Sequence, residues 1–331
     1  MVVSSFIAAP PGSSLKSLID GFVLTKETEG KSVRTVEYYR ENLKRFLWFA
    51  HQNNWPDDIR VINEWHIKQF IGYVVSGLNR WGTESAGSTS SINKASQATV
   101  RHYYVTLMCF FNWVVSEGFL PINPALKMKV AKSKPRVIIP YTHDEIQRML
   151  DVCKFDIDHG AKFLGSRNRA LVLVMLDTGL RLAELVNVRI SEVDHQEGHI
   201  KIMGKGSKER VVRMGKTARK ALWHYSMFRG ANNEEALWLS EERRPLTTSG
   251  VQSIVQRLKE RCHVGGSGSI HRFRHTFAVN FLRADRNVFN LQYLLGHSDL
   301  DMVRHYTQTL GMEDALKAHG KSSPADLFCF K

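Results

Sequence analysis

Five segments in the second half of the chain carry side chains suited to handling negative charge: Arg181, Lys205, His271 with Arg274, His297, and Tyr306. Arg181 stands in Asp177-Thr-Gly-Leu-Arg-Leu-Ala-Glu184, where Gly179 can end one helix and let Leu180 start another. Taken alone, this arginine needs no role beyond an ion pair with Glu184, three residues along the same helical face. Lys205 lies between Gly204 and Gly206, which let the backbone turn tightly and hold an ammonium at the tip, as a general acid or simply solvated. In His271-Arg-Phe-Arg-His-Thr276, helical spacing sets His271, Arg274 and His275 along one side, and Phe273, Phe277 and Phe281 along the other, buried one. Alone, that pattern also fits a surface helix with a hydrogen-bonded histidine. In Leu294-Leu-Gly-His297-Ser298 an apolar helix stops at Gly296 and leaves His297 in the turn. Tyr306 follows nine residues later, whereas Tyr293, embedded in Leu291–Leu295, reads as core.

The combination narrows the chemistry. Two arginines, one lysine and two histidines can surround a phosphodiester, each guanidinium offering paired donors to non-bridging oxygens as negative charge grows in the transition state. Tyr306 is then the nucleophile. A phenol with an ordinary pKa near 10 needs a base or a cationic setting to attack at neutral pH, and this cluster offers both.

These residues must be positioned by a mixed second domain. His199-Ile-Lys-Ile-Met203 alternates polar and apolar, Gly204–Lys208 interrupts, and Glu209-Arg-Val-Val-Arg213 resumes, which predicts a β-hairpin. Helices are expected over Arg167–Asp177, Lys216–Phe228, Ser249–Arg261, His271–Arg283, Asn287–Leu295 and Leu300–Thr307, and one opens at Thr142, where Glu145 completes a capping box. The first domain reads as all-helical. Residues 1–13 form an arm rich in proline and serine, and helical periodicity starts soon after, clearly in Val33–Phe49. Further helices are expected over Glu64–Ser76 and from Gln97 to Glu117, around a Gly/Ser/Thr-rich loop at 81–96. Between Pro121 and Pro140 the apolar period fades while Lys127, Lys129, Lys132, Lys134 and Arg136 accumulate, as in an extended basic linker that would suit a phosphate backbone or act only as a tether.

Length and composition agree. The 331 residues suggest two domains, and 43% hydrophobic with 24% charged residues is ordinary for a folded globular chain. Lys+Arg outnumber Asp+Glu by 46 to 32, giving +14, and residues 1–140 and 141–331 each carry +7, so a polyanion is the first partner to consider. Four scattered cysteines argue against a disulfide framework or a cysteine-rich zinc site. The longest apolar run, Ala170–Leu176, is far below the roughly 20 residues of a membrane span. Met1–Leu15 lacks the pattern of a secretory leader, and a cytoplasmic location is expected.

At this point the chain resembles the tyrosine recombinase (phage integrase) family, and Xer-type members most in wording. Thr-Gly-Leu-Arg181-x-x-Glu-Leu, Gly-Lys205-Gly-Ser-Lys-Glu-Arg, His271-x-x-Arg274-His, Leu-Leu-Gly-His297 and Tyr306 match the family's pattern in order. The first domain resembles the family's helical core-binding module more loosely, including Asn123-Pro124 before the linker. The resemblance implies a mostly α fold with a small antiparallel β-sheet in the second domain, a two-domain DNA clamp. Its parts would be an arm at 1–13, a SAM-like core-binding domain at 14–125, a basic linker at 126–139, and a catalytic domain at 140–331 with a tail at 308–331, whose segment Gly311–His319, helical by pattern, would dock on a neighbouring protomer. It also implies DNA cleavage through a 3′-phosphotyrosine and rejoining through a Holliday junction, by a homotetramer with two protomers per site, without metal, ATP or other cofactor. Arg181, Arg274 and His297 would hold phosphate oxygens, Lys205 would protonate the leaving oxygen, His271 would manage the tyrosine proton, and Glu184 would orient the site. Accessory DNA-bending or partner recombinase proteins are possible partners.

DNA reading is expected mainly from the first domain, at helix starts carrying Arg34, Thr35, Gln97, Thr99 and Arg101, with Lys44, Lys132 and Lys134 as further contacts. Three other readings stand beside this one. A regulator of the same fold would lack members of the six-residue set. A metal-dependent nuclease could use His263, His271, His275, His297 and His305, although no carboxylate cluster accompanies them. A type IB topoisomerase would share the nucleophile, and the topology of its product would tell it apart.

Overall fold

The computed structural model describes residues 14–76, 94–131, 138–204, 209–230, 234–265, 269–285 and 287–296. The chain divides into two units, Met1–Pro135 and Arg136–Lys331. The expected arm at 1–13, most of the loop at 81–96, the helix at 300–307 and the tail at 308–331 lie outside the described residues.

Among the described residues the first unit holds the α-helices α1 (Leu15–Thr28), α2 (Val33–Gln52), α3 (Glu64–Ser76) and α4 (Gln97–Ser116). Ser14, Ser32 and Ser96 cap α1, α2 and α4, each side chain accepting a backbone N–H from the first turn. The apolar stripes meet in an aromatic core in which Phe22, Phe46, Phe70, Phe110 and Phe111 are fully buried. Their rings meet edge to face, as in Phe46–Phe70 at 5.1 Å and Phe22–Phe110 at 5.7 Å. The helices expected from the sequence do not include α1. Gly21 interrupts its pattern at a cost of about 1 kcal/mol relative to alanine, but a Cβ at that position would stand 3.3 Å from the Trp113 ring, so the glycine admits the indole. Beyond α4, Met128 and Val130 pack against the same core, and the Tyr104 hydroxyl donates to the Met128 carbonyl at 3.0 Å.

The second unit is built around α6 (Lys162–Thr178), whose Ala170–Met175 run is buried on every side. Around it pack α5 (His143–Asp158), α8 (Lys216–Arg229), α9 (Thr248–Arg261), α10 (Ser269–Ala284) and α11 (Val288–Leu295), with the short α7 (Leu182–Val186) after α6. Thr142 and Glu145 form the expected capping box on α5. The sheet has three antiparallel strands, β1 (Val193–Asp194), β2 (His199–Met203) and β3 (Glu209–Arg213), in that order. Ile200 pairs Val212, Ile202 pairs Arg210 and Met203 pairs Glu209, so the alternating hairpin stands where its period placed it.

Arg272 ties the start of this unit to α10. Its guanidinium donates to the Ile139 and Pro140 carbonyls and to Glu145 at 2.6 Å, and it lies 4.0 Å over the Tyr141 ring. Among the described residues no helix is long and apolar enough to cross a membrane.

Candidate active site

The site is assembled where the C-terminal ends of α6 and α11 meet the middle of α10. Helix α6 stops at Gly179, whose φ of 60° is left-handed. A Cβ there would overlap Phe277 of α10 and come within 3.0 Å of Leu295 of α11, so both handedness and space require glycine. Leu180 is buried, and Arg181, rather than Leu180, precedes the next helix as the N-cap of α7. Glu184 turns back onto this cap: its Oε2 accepts the Arg181 backbone N–H at 2.8 Å and its Oε1 accepts Arg181 Nη1 at 2.9 Å. The expected three-residue ion pair is present.

Helix α11 ends at Gly296, φ 63°, whose N–H serves the Gln292 and Tyr293 carbonyls. The next three carbonyls each receive a guanidinium from a different element. Arg210 Nε on β3 donates to Leu294 at 3.2 Å, Arg274 Nη2 on α10 to Leu295 at 2.9 Å, and Arg181 Nη2 to Gly296 at 3.4 Å. Positive charge thus meets the negative end of the helix dipole, and the carbonyls that a helix end leaves unpaired are satisfied. Arg274 also donates through Nη1 to the Gly179 carbonyl at 2.6 Å, joining the ends of α6 and α11.

Burial separates the roles of these groups. Arg274 is 5% exposed, whereas the Arg181 side chain is 39% exposed. Burial raises the Glu184 carboxyl, but its bonds to Arg210 and Arg181 outweigh that effect and hold it at about 2. His275 is buried beside Arg274, and desolvation lowers its pKa, which favours neutral imidazole. His271 sits one turn before Arg274 and is exposed. Residues Arg272 to Thr276 are all buried, so α10 is a core helix rather than a surface one.

The structure therefore brings Arg181, held by Glu184, and Arg274 to the last two carbonyls before His297, with His271 on the same helix as Arg274. Lys205, His297 and Tyr306 lie outside the described residues, as do Lys132 and Lys134. Arg210 joins the site without being among the expected residues; its one signal in the sequence is a cation on the inward face of a strand beside Val212. Tyr293 needs correction: it is 74% exposed, because Leu291 and Leu295, one turn apart, face the core while the residue midway between them faces out. Among the described residues, no three His, Cys, Asp or Glu side chains converge as a metal site requires.

In the helical unit, the Tyr38 hydroxyl donates to the His102 carbonyl and Asn42 Nδ2 donates to Thr106 Oγ1, both across 64 residues. The Tyr39 hydroxyl also reaches Cys109 and Arg45 reaches the Tyr103 hydroxyl, so α2 and α4 cross near Asn42 and Thr106. Arg34 and Gln97 are exposed, the Thr35 and Thr99 hydroxyls bond to Ser32 and Ser96 at 2.8 Å, and Lys44 pairs with Glu41 at 3.0 Å.

A sequence model of the phage integrase family matches residues 141–311. The tyrosine recombinase XerC of Thermodesulfovibrio yellowstonii is 28% identical over 307 residues, covering 90% of this chain and 93% of its own. XerC of Yersinia pestis is 32% identical over 239 residues, covering 70% and 77%. The fold is shared with a lambda integrase tetramer bound to a Holliday junction, at 19% identity and a TM-score of 0.68, over 89% of this chain and 77% of that one.

Proposed function

Because the chain belongs to the phage integrase family and is a site-specific tyrosine recombinase, we propose that Arg181, Lys205, His271, Arg274, His297 and Tyr306 form its reaction centre on a DNA phosphodiester. The observation that carries this reading is the convergence of Arg181 and Arg274, distant in sequence, on the carbonyl end of α11 just before His297.

Tyr306 attacks the scissile phosphorus as His271 takes the phenolic proton. The bond from phosphorus to the 5′ oxygen breaks, Lys205 protonates that oxygen, and a 3′-phosphotyrosyl link with a free 5′-hydroxyl remains. Arg181, Arg274 and His297 hold the non-bridging oxygens while charge accumulates on them. Among the described residues, Arg181 commits two of its five N–H groups, which leaves donors for phosphate. One phosphodiester replaces another, so bond energy is retained; with fixed side-chain cations in place, neither ATP nor a metal is required. The 5′-hydroxyl of a partner strand then attacks the phosphotyrosine and displaces the phenol. Four protomers acting two at a time would complete exchange through a Holliday junction, and the starts of α2 and α4 would meet the DNA.

The test is incubation with nicked half-site DNA drawn from the sequence flanking the gene, with a chelator present. The wild type should form a covalent adduct, and Tyr306→Phe should form none while still binding the DNA. An adduct from the substituted protein would show that another group is the nucleophile.

A further inference from the structure

We propose that Arg210 is a positioning residue of the reaction centre, one that sets the direction of the Arg181 guanidinium and the end of α11 together. This rests on the assignment of Arg181 to phosphate binding made above. Strand β3 places Arg210 opposite Ile202 and on the same face as the buried Val212, so its guanidinium is directed inward, where a cation persists only if it is paired. Its side chain is only 10% exposed. Nη1 donates to Glu184 Oε1 at 3.0 Å and Nη2 to Oε2 at 2.8 Å, a two-pronged contact with the same carboxylate that holds Arg181. Each Glu184 oxygen thus receives one donor from Arg210 and one from Arg181. The remaining edge of the guanidinium, Nε, donates to the Leu294 carbonyl. A Cβ at Gly296 would stand 3.1–3.2 Å from Arg210 Nη1, Cδ and Cζ, so the turn leading to His297 rests directly on this side chain.

A planar fork with donors in three directions can join a carboxylate to a carbonyl in one fixed geometry; an ammonium cannot. Arg210 is also the sixth residue of the Lys205–Arg210 stretch, on the strand that leaves the hairpin turn. Its donors are committed to Glu184 and Leu294, which suits holding the groups that touch DNA rather than touching DNA itself.

The experiment measures the rate of adduct formation for wild type, Arg210→Lys and Arg210→Met. It uses a nicked half-site whose scissile group is either the ordinary phosphodiester or a methylphosphonate, which lacks one negative oxygen. DNA affinity and thermal midpoint are recorded alongside. A misplaced guanidinium should slow adduct formation on the phosphodiester by about 10- to 100-fold in both variants. The deficit should shrink on the methylphosphonate, because a neutral group depends less on a placed cation. Equal deficits on both substrates would show that Arg210 serves only the fold, and Arg210→Lys matching the wild type would likewise overturn the proposal. Should Arg210→Met fail to fold, Arg210→Lys, which keeps the charge and most of the volume, decides. A wild type that forms no adduct at all overturns the proposed function and this inference with it; an active wild type with an equally active Arg210→Lys overturns this inference alone.

Discussion

Glu184 carries the strongest electrostatic coupling at the site. Burial alone would raise its carboxyl, yet the bonds to Arg210 and Arg181 hold it at about 2, below its ordinary 4.5. The pairing is therefore fully stabilising above pH 4.5 and is lost as pH falls toward 2, a contribution on the order of 3 kcal/mol. Glu184→Gln should lower the thermal midpoint near neutral pH and flatten its decline between about pH 5 and pH 3 relative to wild type. Parallel declines for the two proteins would contradict the assignment. His275 acts in the same acid direction, since its pKa is lowered by burial and the unfolded chain takes up the proton first. At this scale the sequence was legible where partners are close along the chain: Arg181 and Glu184 are three residues apart. It was not legible for Arg210, whose partners lie 26 and 84 residues away and become neighbours only once the hairpin packs on α7 and α11.

The elements act through their ends. Gly179 and Gly296 stop α6 and α11 in the left-handed region, and the carbonyls exposed there are the ones the arginines take. Gly30 has a similar φ of 69° but open space within 4 Å of where a Cβ would stand, whereas Gly179 has Phe277 and Leu295 against it. Chemical denaturation should therefore find Gly179→Ala destabilising by about 2–4 kcal/mol, strain and overpacking together, and Gly30→Ala by about 1 kcal/mol. Equal costs would mean that the α10 and α11 contacts at Gly179 yield freely. The hairpin strands were legible to the residue because a two-residue period stops at Gly204 and resumes at Glu209, and that period fixes which face each side chain takes. Helix α1 was harder to see, since Gly21 breaks its pattern and the reason for that glycine, the Trp113 ring, belongs to a helix far along the chain. Tyr293 lies among apolar residues along the chain, yet the helical period turns it away from the core that Leu291 and Leu295 face.

On the scale of the whole molecule, positive charge is carried by both halves, +7 in residues 1–140 and +7 in 141–331. If both engage DNA phosphates, displaced counterions make binding steeply salt dependent. Affinity should fall about 10³-fold or more between 50 and 200 mM salt, and a fall of less than about tenfold would mean few phosphates are neutralised. The family and the mostly helical architecture were legible because the chemistry is compressed into short motifs whose order survives in the linear chain. What those motifs could not convey is the manner in which the arginines are held, through the carbonyl end of α11 and a shared carboxylate. In the proposed reaction a phenolic oxygen of Tyr306 temporarily takes the place of a sugar oxygen on phosphorus. Trapping the covalent DNA adduct, digesting both protein and DNA, and sequencing the modified peptide by mass spectrometry tests it directly. The expected product is a nucleotide joined through its 3′-phosphate to Tyr306; a nucleotide on any other residue, or one attached through its 5′ end, would overturn the assignment.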